Sequence, residues 1–395
     1  MEEQYFNMEK NLTANTDSVF APSRFAYIDI AKALGILMVV FAHINVEGGI
    51  YRTFYAFHIP LFFLLSGMTF RHEGISFKSF LGKKAKRLLL PYLAYSLITF
   101  VWYACVEVNM PEFNLTKTQS ISGSFLEIFL ARGSVDYIQH NPALWFIPCL
   151  FVAEVIYYLL CRCKKGVKLA GVIVLGAFGY ICTLGFMPQL FRELPWQAEA
   201  AFSALPFIYV GELVKDKLTL DGLKDMVLNK KLFSWICVVV CFVAVVFLTK
   251  LNALFLPPEA KGHVSMGSNY LGNIVVFYVN ALLGAFATIF LSALIADLIK
   301  ERIDLGKSWL VWLGVNSYAV MAIHYPVKRR MVVIVAQAID KWGLADVTGG
   351  FTVYTSTNLL ASFIAFIFTM FITIVITIAA DAFIKKAKLP GKNRI

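Results

Sequence analysis

Charge is what this sequence has least of. Only 15% of its 395 residues are Asp, Glu, Lys or Arg, where an ordinary soluble domain has about a quarter. Apolar residues make up 59% and the mean hydropathy is +0.69. A soluble enzyme of this length has no single core large enough to hide so much apolar surface, so that class is excluded. Cysteine is also sparse. The seven (Cys105, Cys149, Cys161, Cys163, Cys182, Cys237, Cys241) lie in or beside apolar runs and form no C-x-x-C pair, which signals neither a zinc site nor a disulfide framework. The opening residues, 1–23, lack the apolar core of a signal peptide and read as a short polar tail. No periodic repeat is apparent, and no linker is long enough to separate a second domain.

What the chain does have is apolar runs of membrane length. A span needs about 20 mostly apolar residues at a rise of about 1.5 Å each. Stretches at 28–46, 50–70, 88–108, 143–161, 169–187, 199–214, 232–249, 269–299, 309–326 and 358–383 meet that need. The fold class expected is therefore all-α: a polytopic integral membrane protein of about ten transmembrane helices. It divides into a polar tail (1–24), a membrane domain (25–384) and a basic tail (385–395). The net charge of +11 points to topology before it points to nucleic acid, because Lys and Arg collect in cytoplasmic loops. With the N-terminus inside, 26 of the 36 Lys and Arg fall on the inner side and 10 on the outer, so both termini are expected in the cytoplasm. Lys328, Arg329 and Arg330 are the exception, falling in the outer loop after the ninth span. That loop, Gly-rich near Gly349 and Gly350, and the loop at 109–142, with a short helix at 124–131, are candidate lids.

Ionisable groups inside spans are costly and mark function by default. The first span carries Asp29, Lys32 and His43. Asp29 and Lys32 stand at i, i+3, where a helix brings side chains together, and taken alone they read as a self-neutralised pair near the cytoplasmic surface. His43 lies eleven residues further on, roughly 16 Å along the helix. The second span carries His58, two residues before Pro60, and the ninth ends on His324, two before Pro326. Three of the six histidines thus reach a similar depth toward the outer side from three helices, which points to a shared polar cavity. Imidazole titrates near neutrality and can take and return a proton. A metal is not expected, because these loops offer no tight ligand spacing and no carboxylate fourth ligand. After the second span Lys83, Lys84, Lys86 and Arg87 crowd the cytoplasmic end, which suits a phosphate-bearing ligand or anionic lipid headgroups.

Taken in order, these pieces resemble the acyltransferase-3 family of membrane acyltransferases. The resemblance is carried by Asp29-Ile-Ala-Lys32 with the apolar run to His43, and by Phe57-His58-Ile-Pro-Leu-Phe-Phe with Ser66-Gly67. The basic run Lys83-Lys84-Ala-Lys86-Arg87, the Leu144-Trp145-Phe146-Ile147 stretch and the Gly314-to-His324 stretch with Asn316 complete it. Lys at position 32, where many members have Arg, is similar to the sugar O-acetylases of the fucose-4-O-acetylase type. The resemblance implies transfer of an acyl group, acetyl by default, from cytoplasmic acyl-CoA to a hydroxyl of an envelope glycan or lipid-linked sugar. It implies a multi-pass protein of a bacterial plasma membrane, in contact with membrane lipids and without nucleic acid. The fused extracytoplasmic hydrolase-like domain of some members is expected to be absent. On this reading His43 is the general base or acyl relay, and His58 or His324 orients it or donates to the oxyanion. Lys32, Lys83, Lys84, Lys86 and Arg87 hold the donor. Asp29, Trp145, Asn316, Lys328, Arg329 and Arg330 are the expected substrate contacts, the last three at the acceptor's phosphate. Ser66 before Gly67 reads as a packing device rather than a nucleophile. A glycolipid or polysaccharide transporter or flippase fits the same spans and intramembrane charges, and so does a ligand-binding sensory domain.

Overall fold

The computed structural model describes residues 26–44, 48–110, 120–133, 138–184, 187, 193–219, 222, 227–342, 351–352, 355–356 and 358–387. Both expected tails, apart from 385–387, and the Gly349–Gly350 loop lie outside those residues. The helices in chain order are α1 (Ala26–Ile44), α2 (Gly48–Met68), α3 (Phe77–Lys84), α4 (Leu90–Cys105), α5 (Ile121–Leu130), α6 (Phe146–Leu160) and α7 (Lys165–Cys182). They continue with α8 (Ala198–Val214), α9 (Lys231–Ala253), α10 (Ile274–Lys300), α11 (Trp309–Val315), α12 (Ser317–Lys341) and α13 (Leu359–Ala387). A two-residue antiparallel ribbon pairs Phe351–Thr352 with Thr355–Ser356. Among the described residues, seven helical segments are long and apolar enough to cross a membrane: Ala26–Ile44, Phe77–Asn109, Pro142–Leu160, Lys165–Cys182, Lys231–Ala253, Ile274–Lys300 and Leu359–Phe383. The other three expected spans correspond to α2, α8 and α12. These are helical too, but α2 carries Arg52 and His58, α8 is 17 residues long, and α12 carries three consecutive cations.

Local chemistry explains where these helices start and how they survive their prolines. Asn273 caps α10 by accepting from the Val275 and Val276 amides at 3.0 and 3.2 Å. The expected start of the eighth span, residue 269, is thereby corrected, and 269–272 belong to the preceding loop. Ser76 and Ser120 cap α3 and α5 in the same way. Between α3 and α4 the backbone widens into one π-helical turn, Ala85–Leu89, a feature that often re-aims side chains at functional positions.

The ninth span is corrected as well. It was expected to run unbroken from 309 to 326, with Lys328–Arg330 in a loop. It breaks at Asn316 into α11 and α12, and α12 runs on to Lys341 through Pro326. Pro326 has no N–H for the Ala322 carbonyl. Asn141 Nδ2 supplies the missing donor to that oxygen at 2.7 Å, which is how prolines are tolerated within membrane helices.

The cations beyond it serve the helix ends. Lys328 Nζ donates to the His43 carbonyl at 2.8 Å, satisfying one of the carbonyls left without a helical partner at the end of α1. Arg329 is buried against Glu107 at 2.6 Å and donates to the Gln139 carbonyl, tying α12 to the turn after α4. Arg330 lies half-buried beside Met110.

α1 sits at the centre, in contact with α2, α10, α11, α12 and α13. α4, α7, α9 and α13 turn large apolar side chains outward, among them Ile98, Ile173, Phe247 and Phe371, as a lipid-facing ring requires. The closest helix approaches are made on glycine. A Cβ at Gly314 would lie 1.8 Å from the Asp29 carbonyl oxygen, and one at Gly211 2.1 Å from that of Leu64. Backbone cannot give way there as a side-chain tip could. Gly314→Ala is therefore expected to lose about 1–3 kcal/mol of stability, read as a lowered melting temperature in detergent; an unchanged melting temperature contradicts this close crossing of α11 over α1.

Candidate active site

A cavity of about 740 Å³ runs alongside α1. At one end it is lined by Lys32, Lys84 and Arg87, with Ser66, Thr69 and Glu154. Ile36 and Val39 of α1, Ile59 and Phe62 of α2, and Phe146 and Leu150 of α6 make an apolar middle. His43, His58, His263, Tyr51, Tyr55 and Tyr325 surround the other end. Because Lys32 and His43 share one helix, the two ends stand roughly 16 Å apart along it.

At the histidine end, His43 Nδ1 meets His324 Nε2 at 2.8 Å, with ring centroids 5.1 Å apart and ring planes 10° from parallel. The contacts fix the neutral tautomers. His324 Nδ1 lies 2.7 Å from the Met321 carbonyl and 3.2 Å from that of Val320. A carbonyl only accepts, so the proton is on Nδ1 and His324 Nε2 is the acceptor. His43 must then donate from Nδ1, which leaves the lone pair of its Nε2 for a substrate. A carbonyl thus orients one imidazole and that imidazole orients a second, the arrangement of a positioned general base. The same reasoning applies to His58, whose Nδ1 is 2.5 Å from the Phe54 carbonyl. Its neutral Nε2 carries a lone pair, so donation from His58 to an oxyanion, as expected from sequence, requires a protonated ring.

At the cation end the expected basic cluster divides. Lys84 and Arg87 line the cavity, whereas Lys83 and Lys86 are exposed and do not. Lys86 and Arg87 lie within the π turn and Lys83 and Lys84 just before it, and Tyr318 of α12 fastens the turn by donating to the Leu88 carbonyl at 3.1 Å. Lys32 pairs with Asp29 at 2.9 Å, as their spacing implied, and Asp29 itself is outside the lining. Trp145 lines the cavity, and Lys328 lines it at the histidine end. Asn316 donates to the Trp312 carbonyl at 2.8 Å and, like Arg329 and Arg330, lies outside the lining.

Several lining residues were not anticipated. Glu154 is 4% exposed and bonds Lys84 at 2.6 Å and Ser66 at 2.8 Å. It carries the signal applied to Asp29 and Lys32, an acid inside an apolar run, and was legible by that rule. The loop at 254–273 was not legible. Its bridge between Ser265 and Tyr270 folds residues 265–268 over the cavity, and Gly267 packs so closely on the Trp145 indole that a Cβ would lie 2.8 Å from it. Tyr51 Oη of α2 bonds His263 Nε2 of the same loop at 3.0 Å. Among the described residues His72, Cys161 and Glu212 bring metal-ligand atoms within 4.8 Å of one another. Glu212 there already accepts from Lys168 and Tyr157, so the trio reads as part of an ion-pair network.

Two histidines outside the spans are held neutral. Burial, and then Arg52 and Lys261, push His263 down to about 4; burial, and then Arg329, push His140 down to about 3. Unfolded imidazole takes a proton near 6.5. The unfolded state therefore binds more protons between those values, and stability falls as pH drops from about 6.5 toward 4. Melting in detergent is expected to fall from about pH 7 to about pH 5, and less steeply in His263→Asn; equal losses in both proteins contradict this role for His263.

A family model described as an acyltransferase domain matches residues 25–378. No curated protein matches the chain.

Proposed function

Because the chain belongs to the acyltransferase-3 family and is a membrane-bound acyltransferase, we propose that it moves an acetyl group from cytoplasmic acyl-CoA to a hydroxyl of an envelope glycan or lipid-linked sugar. The observation that carries this reading is the oriented His43–His324 pair at one end of a cavity whose other end presents Lys32, Lys84 and Arg87. The transporter and sensory alternatives have no comparable use for a base with a directed lone pair.

The proposed reaction follows from the tautomers. His43 Nε2 takes the proton of the acceptor hydroxyl as its oxygen attacks the thioester carbonyl. The tetrahedral intermediate collapses, the C–S bond breaks, and His43 returns the proton to the departing thiolate. His324 holds His43 in the competent tautomer throughout. Positive charge at Lys32 and Arg87 suits the donor's phosphates, and the apolar middle suits its arm. An extended chain of thirteen bonds, the count from the phosphate phosphorus to the thioester sulfur, reaches roughly 16 Å, which matches the separation of the two ends.

In this reading the protein spans a bacterial plasma membrane about ten times with both termini in the cytoplasm. The cation end opens to the cytoplasm and the histidine end lies nearer the outer side. The aromatic rings there, Tyr51, Tyr55 and Trp145 among them, are suited to stack on a sugar, in keeping with the sugar O-acetylase branch.

Free CoA release from acetyl-CoA by protein in nanodiscs, with water taking the acetyl group in place of the acceptor hydroxyl, tests the proposal. Wild type is expected to release CoA, His43→Ala to lose the activity, and His324→Ala to lower kcat about 100-fold with little change in donor KM. Folded wild-type protein that releases no CoA contradicts the donor assignment, and a fully active His43→Ala contradicts the base.

A further inference from the structure

One charged group in the cavity has no task in the reaction as described. Glu154 Oε1 takes both the Ser66 hydroxyl and the Lys84 ammonium, while Oε2 is buried with no hydrogen-bond partner. A carboxylate oxygen enclosed without a donor is unfavourable, and Glu154 lines the cavity. Its second oxygen therefore calls for a ligand group that carries a proton.

The charge around it narrows that group. A phosphate has no proton to offer near neutrality and is repelled by the carboxylate. Lys84 is held at 2.6 Å by the buried Glu154, whereas Lys32 is paired at 2.9 Å with the more exposed Asp29, so among the cavity cations at this end the phosphates are assigned to Lys32 and Arg87. Depth narrows it further. Ser66, bonded to the same carboxylate, stands eight residues from His58 on α2, about 12 Å of rise. Glu154 therefore lies at the cation end, beside Lys84 and about 12 Å of rise short of His58. In an extended acyl-CoA arm whose phosphate is at Lys32 and whose sulfur is at His43, the amide nitrogen nearer the phosphate stands six bonds from phosphorus, roughly 7 Å. Of the arm's two amide protons, that N–H is the one nearer the depth of Glu154.

We infer that Glu154 binds the donor by accepting a hydrogen bond at Oε2 from the pantetheine amide nearer the phosphates. The inference rests on the acyl-CoA reading of the cavity. It divides donor recognition into a phosphate contact, Lys32 and Arg87, and a separate contact that reads the neutral arm. Glu154 is on this account a donor-binding residue, and its loss registers in KM rather than in kcat.

Thiol-release kinetics on the full chain in nanodiscs test this, with acetyl-CoA and with acetyl-pantetheine, which keeps the arm but lacks the nucleotide phosphates. Glu154→Gln is expected to raise KM about tenfold for both donors, with kcat within about threefold of wild type. Arg87→Ala is expected to raise KM for acetyl-CoA alone. A measurement on wild-type protein guards against loss of fold in the variant: methylating the phosphate-side amide nitrogen of acetyl-pantetheine should raise KM about tenfold. The inference is overturned if wild type uses the methylated donor as readily as its parent, or if folded Glu154→Gln keeps the wild-type KM for acetyl-pantetheine. Wild-type protein that consumes neither thioester removes the acyl-CoA reading itself, and this inference falls with it.

Discussion

The hydrogen bond between His43 and His324 joins residues 281 positions apart in the chain, and most of the surrounding structure bears on keeping it. Each partner is set by its own backbone. His324 is fixed by the carbonyls one turn behind it, and His43 stands at the last turn of α1, where the helix end would otherwise expose its carbonyls. Lys328, one turn beyond His324, donates to the carbonyl of His43 itself. The same pair of helices therefore meets twice, once through the imidazoles and once through a lysine nitrogen and a carbonyl. A shift of α12 along α1 breaks both contacts together.

Cations inside an apolar bundle need an assigned partner, and here each assignment also places an element of the cavity. Arg329 with Glu107 fastens α12 to the segment after α4, and Asn141 completes the hydrogen bonding that Pro326 interrupts. Lys84 with Glu154 joins the basic turn to α6, and Lys32 with Asp29 remains within α1. Breaking a buried pair by removing one partner leaves a charge uncompensated and costs about 3–5 kcal/mol. Such pairs resist rearrangement and so keep the cavity lining in place.

Much of this was legible in the sequence, and for identifiable reasons. Asp29, Lys32, His43, His58 and His324 stood out because an ionisable side chain in an apolar run is conspicuous, and the helical rise converts their spacing into depth. The Asp29–Lys32 pair and the convergence of His43 with His324 followed from that arithmetic. Where the reading missed, the deciding partner lay far away in the chain. Pro326 and the three cations after it look like the end of a span, because nothing local reveals that Asn141 supplies the missing donor or that Glu107 neutralises Arg329. Of Lys83, Lys84, Lys86 and Arg87 only Lys84 and Arg87 line the cavity, and the partner that holds Lys84 there, Glu154, is 70 positions away. His263 and the loop over Trp145 carry no periodic signal at all. Glu154 is different: it carried the same signal as Asp29 and was passed over.

The central claim is that one cavity holds a donor with its phosphates at Lys32 and Arg87 and its sulfur at His43. A structure of the protein with a non-hydrolysable acetyl-CoA analogue, in which a thioether replaces the thioester, tests it most directly. The account predicts the sulfur within about 4 Å of His43 Nε2, close to the approach of reacting atoms, and the phosphates against the Lys32 and Arg87 side chains. An analogue bound outside the cavity, or lying in it with its phosphates among the histidines, would contradict the account.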